Sequence, residues 1–388
     1  MKHLAILVAL TSCSTNIGNS GTPGDAGSGD GSNNGASPDG PVTCNTLPAS
    51  QTDPCMLPAG TGVDITANST FDTDAGVLTL DSDGSTIPVV VKNVTGPAGP
   101  LELIVATTLK IEPGATLRAK GTVAFGSIAF GSIDIGGIID VSSNATSLGA
   151  GEPTPYSTND VACGAHSGGR SPTDDASGGG GGGGAQGAGG VGGSSPSTTG
   201  GVAGTAVTPI PLGPVAGCHG NRNGNVITMT VFGGEGGGAV YLAGTSIIVA
   251  AGGGVNAGGQ GGEPNMLGTD SLAGGGGAGG TIMLEASAIT IAGTLAANGG
   301  GGGQGAIGAG SASPGTDGQL SGSAAPGGAG GTGALGGAGG AGATLVGGAG
   351  TTTATGNSGG AGGGGGAGFI IIHGTLTGTG VISPPPST

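Results

Sequence analysis

The sequence predicts an all-β protein: a right-handed parallel β-helix with long glycine-rich excursions, carried behind a disordered N-terminal tether. Three observations predict it. Apolar and polar residues alternate at a period of two in short runs such as TLKIEPGATLRAKG and FGSIDIGGIIDVSS. A phrase of about twenty residues returns at Ala239, Thr281 and Phe369, and such a unit buries its apolar face only by stacking on its neighbours. The chain also has 101 glycines in 388 residues with only 2% aromatics, so any core is thin and built from Val, Ile, Leu and Ala. Glycine without a strict three-residue period argues against collagen.

The formal charge, −15 from 7 basic and 22 acidic residues, repels phosphate backbones, and no basic stripe offsets it. Nucleic acid is therefore excluded as a partner.

The first residues, MKHLAILVALTSC, combine a short basic start with an apolar run too short to span a bilayer. Their ending, Leu10-Thr11-Ser12-Cys13, resembles the lipobox of bacterial lipoproteins. That resemblance implies cleavage before Cys13, acylation of its thiol, and a membrane partner reached through the lipid. The competing reading is an ordinary secretory signal with a chance cysteine. Residues 14–41 are Gly, Ser, Asn, Asp and Pro with almost nothing apolar, which predicts a flexible tether.

The expected organisation is a signal peptide at 1–12, a tether at 13–43, an N-terminal β region at 44–100, the glycine-rich β-helix at 101–383 and a tail at 384–388. In an oxidising compartment Cys44 and Cys55 are expected to pair, as are Cys163 and Cys218. His166 and His219, close to the second pair, raise a zinc alternative, but their spacing puts adjacent ligands on opposite sides of an extended chain. Residues 63–94 read as strands punctuated by Gly and Asp. Asp72, Asp74, Asp81 and Asp83 invite a calcium reading, although the twelve-residue loop is incomplete; solvated turns are the plainer expectation.

Within 101–143, Leu103, Val105, Leu109, Ile111, Leu117 and Ala119 are assigned to one face, and Glu102, Lys110, Glu112, Thr116 and Arg118 to the other. Ile133, Ile135, Ile139 and Val141 point in, with Asp134 and Asp140 out. Aligning Val240 with Ile282 gives a step of 42 residues, and Ile282 with Ile370 a step of 88. Ile282, Leu284, Ile289, Ile291 and Leu295 are then expected to stack on Val240, Leu242, Ile247, Val249 and Val255. The glycine tracts carry two readings: loose loops, or extended left-handed polyglycine helices bonded sideways.

The phrases TLKIEPGATLRAKG, FGSIDIGGIIDVSS and AGGTIMLEASAITIAGTLAANGGGGG, with the lipobox and tether, resemble the Gly-rich lipoproteins abundant in myxobacteria and their relatives. The likeness covers roughly 101–383. It implies a β-solenoid on the bacterial cell envelope, by expectation the outer membrane with either face open, and it implies no activity. A more distant likeness is to β-helical adhesins and pectate-lyase-like solenoids.

Enzymes on such scaffolds gather carboxylates with Arg or Lys on one strand face. Here Arg118, Arg170, Arg222, Lys92, Lys110 and Lys120 are the cations beyond Lys2 of the signal segment. Glu102, Glu112, Asp134, Asp140 and Glu285 are scattered along the chain as projecting acids, and Asp174-Asp175 sits in a glycine-rich setting unsuited to a preorganised site. The lysine-bearing phosphate loop and the calcium nonapeptide are both missing from the sequence, so no cofactor is expected. The leading expectation is a structural, interaction or adhesive lipoprotein meeting extracellular polysaccharide or other surface proteins. The alternatives are a carbohydrate-active enzyme and a glycan binder without turnover.

Overall fold

Among the described residues, seventeen strands are ordered by one device, a strand that turns a corner without breaking its ladder. In this computed structural model the described residues are 47–152, 163–169, 171, 178–221, 233–264, 273–306, 312–330, 333–353 and 359–387. Of two units, Met1–Val42 and Thr43–Thr388, all described residues belong to the second.

The strands are β1 (Thr61–Ile65), β2 (Ser69–Asp72), β3 (Val77–Leu80), β4 (Thr86–Ile87), β5 (Val90–Gly96), β6 (Gly99–Ile111), β7 (Thr116–Lys120), β8 (Ala124–Ala129) and β9 (Ser132–Ile135). They continue as β10 (Ile138–Asp140), β11 (Ala239–Ala243), β12 (Ser246–Val249), β13 (Gly254–Asn256), β14 (Thr281–Ile291), β15 (Thr294–Ala296), β16 (Phe369–Thr377) and β17 (Val381–Ser383). Two 3-10 turns are the only helical elements among the described residues, and no helix is long and apolar enough to cross a membrane.

The long strands β6 and β14 explain the topology. The first half of β6 pairs in parallel with β8 and its second half with β9. β14 does the same with β11 and β12. With β8–β11 and β9–β12 also paired, the order β6–β8–β11–β14–β12–β9 returns to β6 and closes a six-stranded parallel ring. A separate mixed sheet runs β17–β15–β13–β10–β7–β2–β3–β4. The expected right-handed β-helix is corrected accordingly: the architecture is a closed parallel ring beside a mixed sheet. The physical reason is length. The sequence predicts short strands ending at every glycine, whereas β6 and β14 run through their corners and join two ladders.

The corners are visible residue by residue. Thr107 and Thr108 are consecutively exposed in β6, as are Ser287 and Ala288 in β14. A pair of exposed neighbours flips the inside–outside alternation. Hence Ile104 and Ala106 share the ring core with Leu109 and Ile111, while Leu103 and Val105 face the other way into a second cluster. The single-face assignment of Leu103 and Val105 with Leu109 and Ile111 is thus also corrected. The boundary at 100/101 falls inside β6, and β1, β2 and β5 pair directly with β6 or β7, so 61–100 is continuous with the ring and the mixed sheet.

Register between the repeats is direct. Val240 faces Ile282, Leu242 faces Leu284, Ile247 faces Ile289, Val249 faces Ile291 and Val255 faces Leu295. Ile282 in turn faces Ile370. These slim side chains form rows in the core, where Phe71 and Phe125 meet at a ring separation of 5.5 Å.

Glycine tracts continue the strands. Tract 233–238 runs into β11, 273–280 into β14 and 359–368 into β16, while β13 and β15 run out into 257–263 and 297–306. Their bonding rotates by thirds. The N–H groups of Gly179 and Gly182 reach the 187–193 tract, those of Gly180 and Gly183 the 273–280 tract, and those of Gly181 and Gly184 the 166–169 segment. The carbonyls of the same tract accept from 201–204, 363–366 and Asn221. A bonding direction that repeats every three residues is that of a left-handed polyglycine or polyproline II helix, which has no internal hydrogen bonds. Tract 178–184 therefore has six bonded neighbours. Tracts 273–280 and 359–368 also have six each, and all three bond to one another at the centre of the lattice.

Only glycine, with an occasional alanine, permits this. A Cβ on Gly181 would overlap the Val202 carbonyl oxygen, and one on Gly363 would overlap that of Gly190. The second cluster lies where Ala185 and Ala278 of the lattice meet Tyr241 and Met283 of the ring and Phe369 of β16. The Cys163–Cys218 disulfide closes a separation of 55 residues across two lattice segments.

Candidate functional site

A buried carboxylate forms the most organised polar constellation among the described residues. Glu285 lies on β14 with 2% of its surface exposed. Its Oε2 accepts hydrogen bonds from the Ser50 backbone N–H at 2.6 Å and from the Tyr241 hydroxyl at 2.7 Å. Its Oε1 accepts from the Ser50 hydroxyl at 2.6 Å and lies 2.6 Å from His373 Nδ1. The ladder explains the convergence: Ala243, Glu285 and His373 are register partners on β11, β14 and β16, and Tyr241 lies two residues before Ala243 on the same face. A strap around Leu47–Gln51 covers the site from above, with Gln51 Nε2 donating to the Leu212 carbonyl. The sequence pattern assigns Glu285 to solvent as a projecting acid; the strap buries it, which corrects that expectation.

Burial, reinforced by the Glu285 charge and by the hydrogen bond to it, pushes the Tyr241 hydroxyl far above the usual tyrosine range. Tyr241 is therefore a permanent donor to the carboxylate. His373 is more than half exposed, with its side chain at 56%. Chemically, the group is a carboxylate that orients an imidazole at the surface and ties the strap to the ring.

A second constellation lies on the outside of the ring. Asp64, Lys110 and Asp134 are side-by-side partners on β1, β6 and β9. Lys110 pairs with Glu112, and this hydrogen bond and charge, with smaller effects from Asp64 and Asp134, hold its ammonium above the usual lysine range. Neighbouring strands about 4.8 Å apart put the two aspartate backbones about 10 Å from each other, with the lysine between.

Other expected residues have structural roles. Arg118 Nη1 donates to Asp140 at 2.7 Å, and Nη2 reaches Ser147 and the Leu148 carbonyl, each at 3.3 Å. Asp140 also accepts from Ser142 and Asn256, so this cluster fastens the 142–148 turn to the mixed sheet. Asp72 caps the β2–β3 turn through the Asp74 and Ala75 N–H groups, Asp74 receives Thr122, Asp81 receives Thr70 and Asp83 receives the Ser85 N–H. The four acids thus serve the local contacts of two turns, and no group of three metal-ligand residues exists among the described residues.

With Cys163 and Cys218 in a disulfide, neither thiolate is available to zinc. His166 instead bonds Thr205, and His219 bonds Ser167 and the Gly220 carbonyl. Cys55 is disulfide-bonded. Cys13, Cys44, Arg170, Asp174, Asp175 and Arg222 lie outside the described residues.

The sequence offers no signal for Ser50, 235 positions from Glu285, because strap and strand share no local pattern. Asp64 carries no signal either: its partnership with Lys110 depends on parallel pairing between distant strands. Compared with family models, curated proteins and solved structures, the chain matches none. What fold and site define is an all-β ring carrying a polyglycine lattice.

Proposed function

We propose that the protein is a cell-envelope lipoprotein whose ring and lattice form a scaffold for structural or adhesive contacts. One observation carries this reading: the glycine tracts, which could have been loose spacers, are bonded to one another in a packed body that continues the strands, the inner tracts each to six neighbours. Such a body holds an outer surface in fixed register and suits a display role at the end of a tether. Cys13 supplies the anchor. Replacing Cys13 with Ala should move the protein from the membrane to the soluble fraction, and protease added to intact cells should reach the folded body. Unchanged membrane fractionation of Cys13→Ala would rule out the anchor.

The Asp64–Lys110–Asp134 row supports a second reading as a carbohydrate-active site, since two carboxylates flank a cation on one face. Incubation with acidic polysaccharides, with and without Ca²⁺, tests it. Cleavage lost in Asp64→Asn and Asp134→Asn would establish it, and no cleavage by the native chain would end it.

A further inference from the structure

One face of the lattice has no charge and no cover among the described residues. Four tracts form its outer layer, side by side: 335–339, 345–351, 187–193 and 200–204. The Thr351 and Gly348 N–H groups bond across the first junction to Leu335 and Ala338, Gly347 and Gly350 across the second to Ala188 and Val191, and Gly189 and Gly192 across the third to Gly204 and Gly201. Every third residue points outward, and there the sequence admits side chains. Val202, Val191, Ala349 and Ala338 form a continuous exposed row across all four tracts, with Val346 and Leu335 beside it. Exposures of 69% for Val202, 49% for Val191, 54% for Val346 and 49% for Leu335 are high for branched apolar residues.

Not one Asp, Glu, Lys or Arg occurs in 178–221 or 333–353. On a chain of net charge −15 that is a selective absence. Carboxylates elsewhere on the surface, such as Asp64, Asp81, Asp83 and Glu102, would confront their counterparts if two copies met there. Two copies meeting through the lattice face would bury valines and leucine with no charge opposed. The face is also self-complementary in its backbone: the Ala188 and Val191 N–H groups and the Gly189 and Gly192 carbonyls have no partner within the described residues. Donors and acceptors in one row suit a symmetric contact with the same row of another molecule.

We infer that this outer lattice layer is a homophilic contact surface, and that its partner is a second copy of the same chain. The inference rests on the adhesive reading and gives it a partner. At about 3.1 Å per residue along each tract and about 5 Å between tracts, the layer spans roughly 20 Å each way, about 400 Å². That is half of a standard interface per partner, so a single contact is weak and tethered copies act together.

The test uses beads coated with the full chain at graded density, scored for bead-to-bead clustering. Native beads should cluster above a threshold density and more readily at high salt, which screens the −15 charge. Val191→Asp and Val346→Asp should each raise the threshold at least about tenfold by opposing carboxylates across the contact. Amide exchange in tract 178–184 serves as the control for folding of both variants. Native beads that stay dispersed at all densities would overturn the inference, as would folded Asp variants that cluster like the native chain. Because beads bypass the lipid, failure of the Cys13 anchor would leave this result untouched, and failure here would leave the anchor intact.

Discussion

The ring and the lattice achieve close packing by opposite means. In the ring, each strand directs its backbone bonds along its two edges, within the sheet, and fills the remaining space with side chains: Ile282, Leu284, Ile289 and Ile291 sit in rows with 1% exposure or less. In the lattice, each inner tract directs its backbone bonds six ways and has only the methyl group of an occasional alanine to place. The ring is held by apolar burial, worth about 25 cal/mol per Å² removed from water. The lattice gains little of that and depends on the backbone hydrogen bonds between its tracts, each worth about 1 kcal/mol net. The ring should therefore be sensitive to losing atoms and the lattice to gaining them.

That asymmetry can be broken, beginning with the largest effect. Gly181→Val puts a branched side chain against the Val202 carbonyl in a site with six neighbours. The expected cost exceeds the ~1–3 kcal/mol usual for overpacking, because backbone has to move. Thermal denaturation should show a much lower midpoint or no folded protein. A Gly181→Val chain with native stability would refute the lattice packing. In the ring, Leu284→Ala should cost about 2–5 kcal/mol by leaving a cavity, measured by denaturant unfolding.

At the junction the expected effect is smaller. Glu285→Gln leaves a neutral amide among Ser50, Tyr241 and His373, at a cost of about 1–3 kcal/mol. Release of the strap should make the chain near Ser50 a site of proteolysis that the native chain lacks. The same site predicts a pH dependence. The folded Tyr241 hydroxyl ionises only far above the unfolded value of about 10. Its contribution is thus complete below pH 10 and is lost as pH rises beyond it, because only the unfolded chain releases the proton. In a Tyr156→Phe background, tyrosinate absorbance should appear together with unfolding rather than before it. The smallest effect belongs to the outward lattice positions: Val191→Ala should change stability by no more than about 0.5 kcal/mol.

How much of this was legible depended on whether the signal was local. Period-two alternation located the strands, and the 42-residue step placed Val240 opposite Ile282, because parallel pairing preserves sequence spacing. Closure of the ring was not legible. It turns on two exposed pairs, Thr107-Thr108 and Ser287-Ala288, that keep β6 and β14 continuous through a bend. A pattern of short runs ending in glycine gives no sign of that continuity. Glycine alone also left loose and packed tracts equally open, since only neighbours can show whether each N–H finds a carbonyl. The Glu285 site was hidden for a related reason: three of its residues share a register row or face that alignment revealed in part, but Ser50 comes from the strap.

The central claim is that the glycine tracts are a hydrogen-bonded solid rather than spacer. Residue-resolved amide exchange on the native chain tests it most directly. Tracts 178–184, 274–280 and 359–368 should exchange as slowly as β11 and β14, while the outward-facing Ala188 and Val191 amides exchange fast, giving a three-residue periodicity along the outer tract. Exchange of the inner tracts at the rate of an unstructured glycine peptide would contradict it.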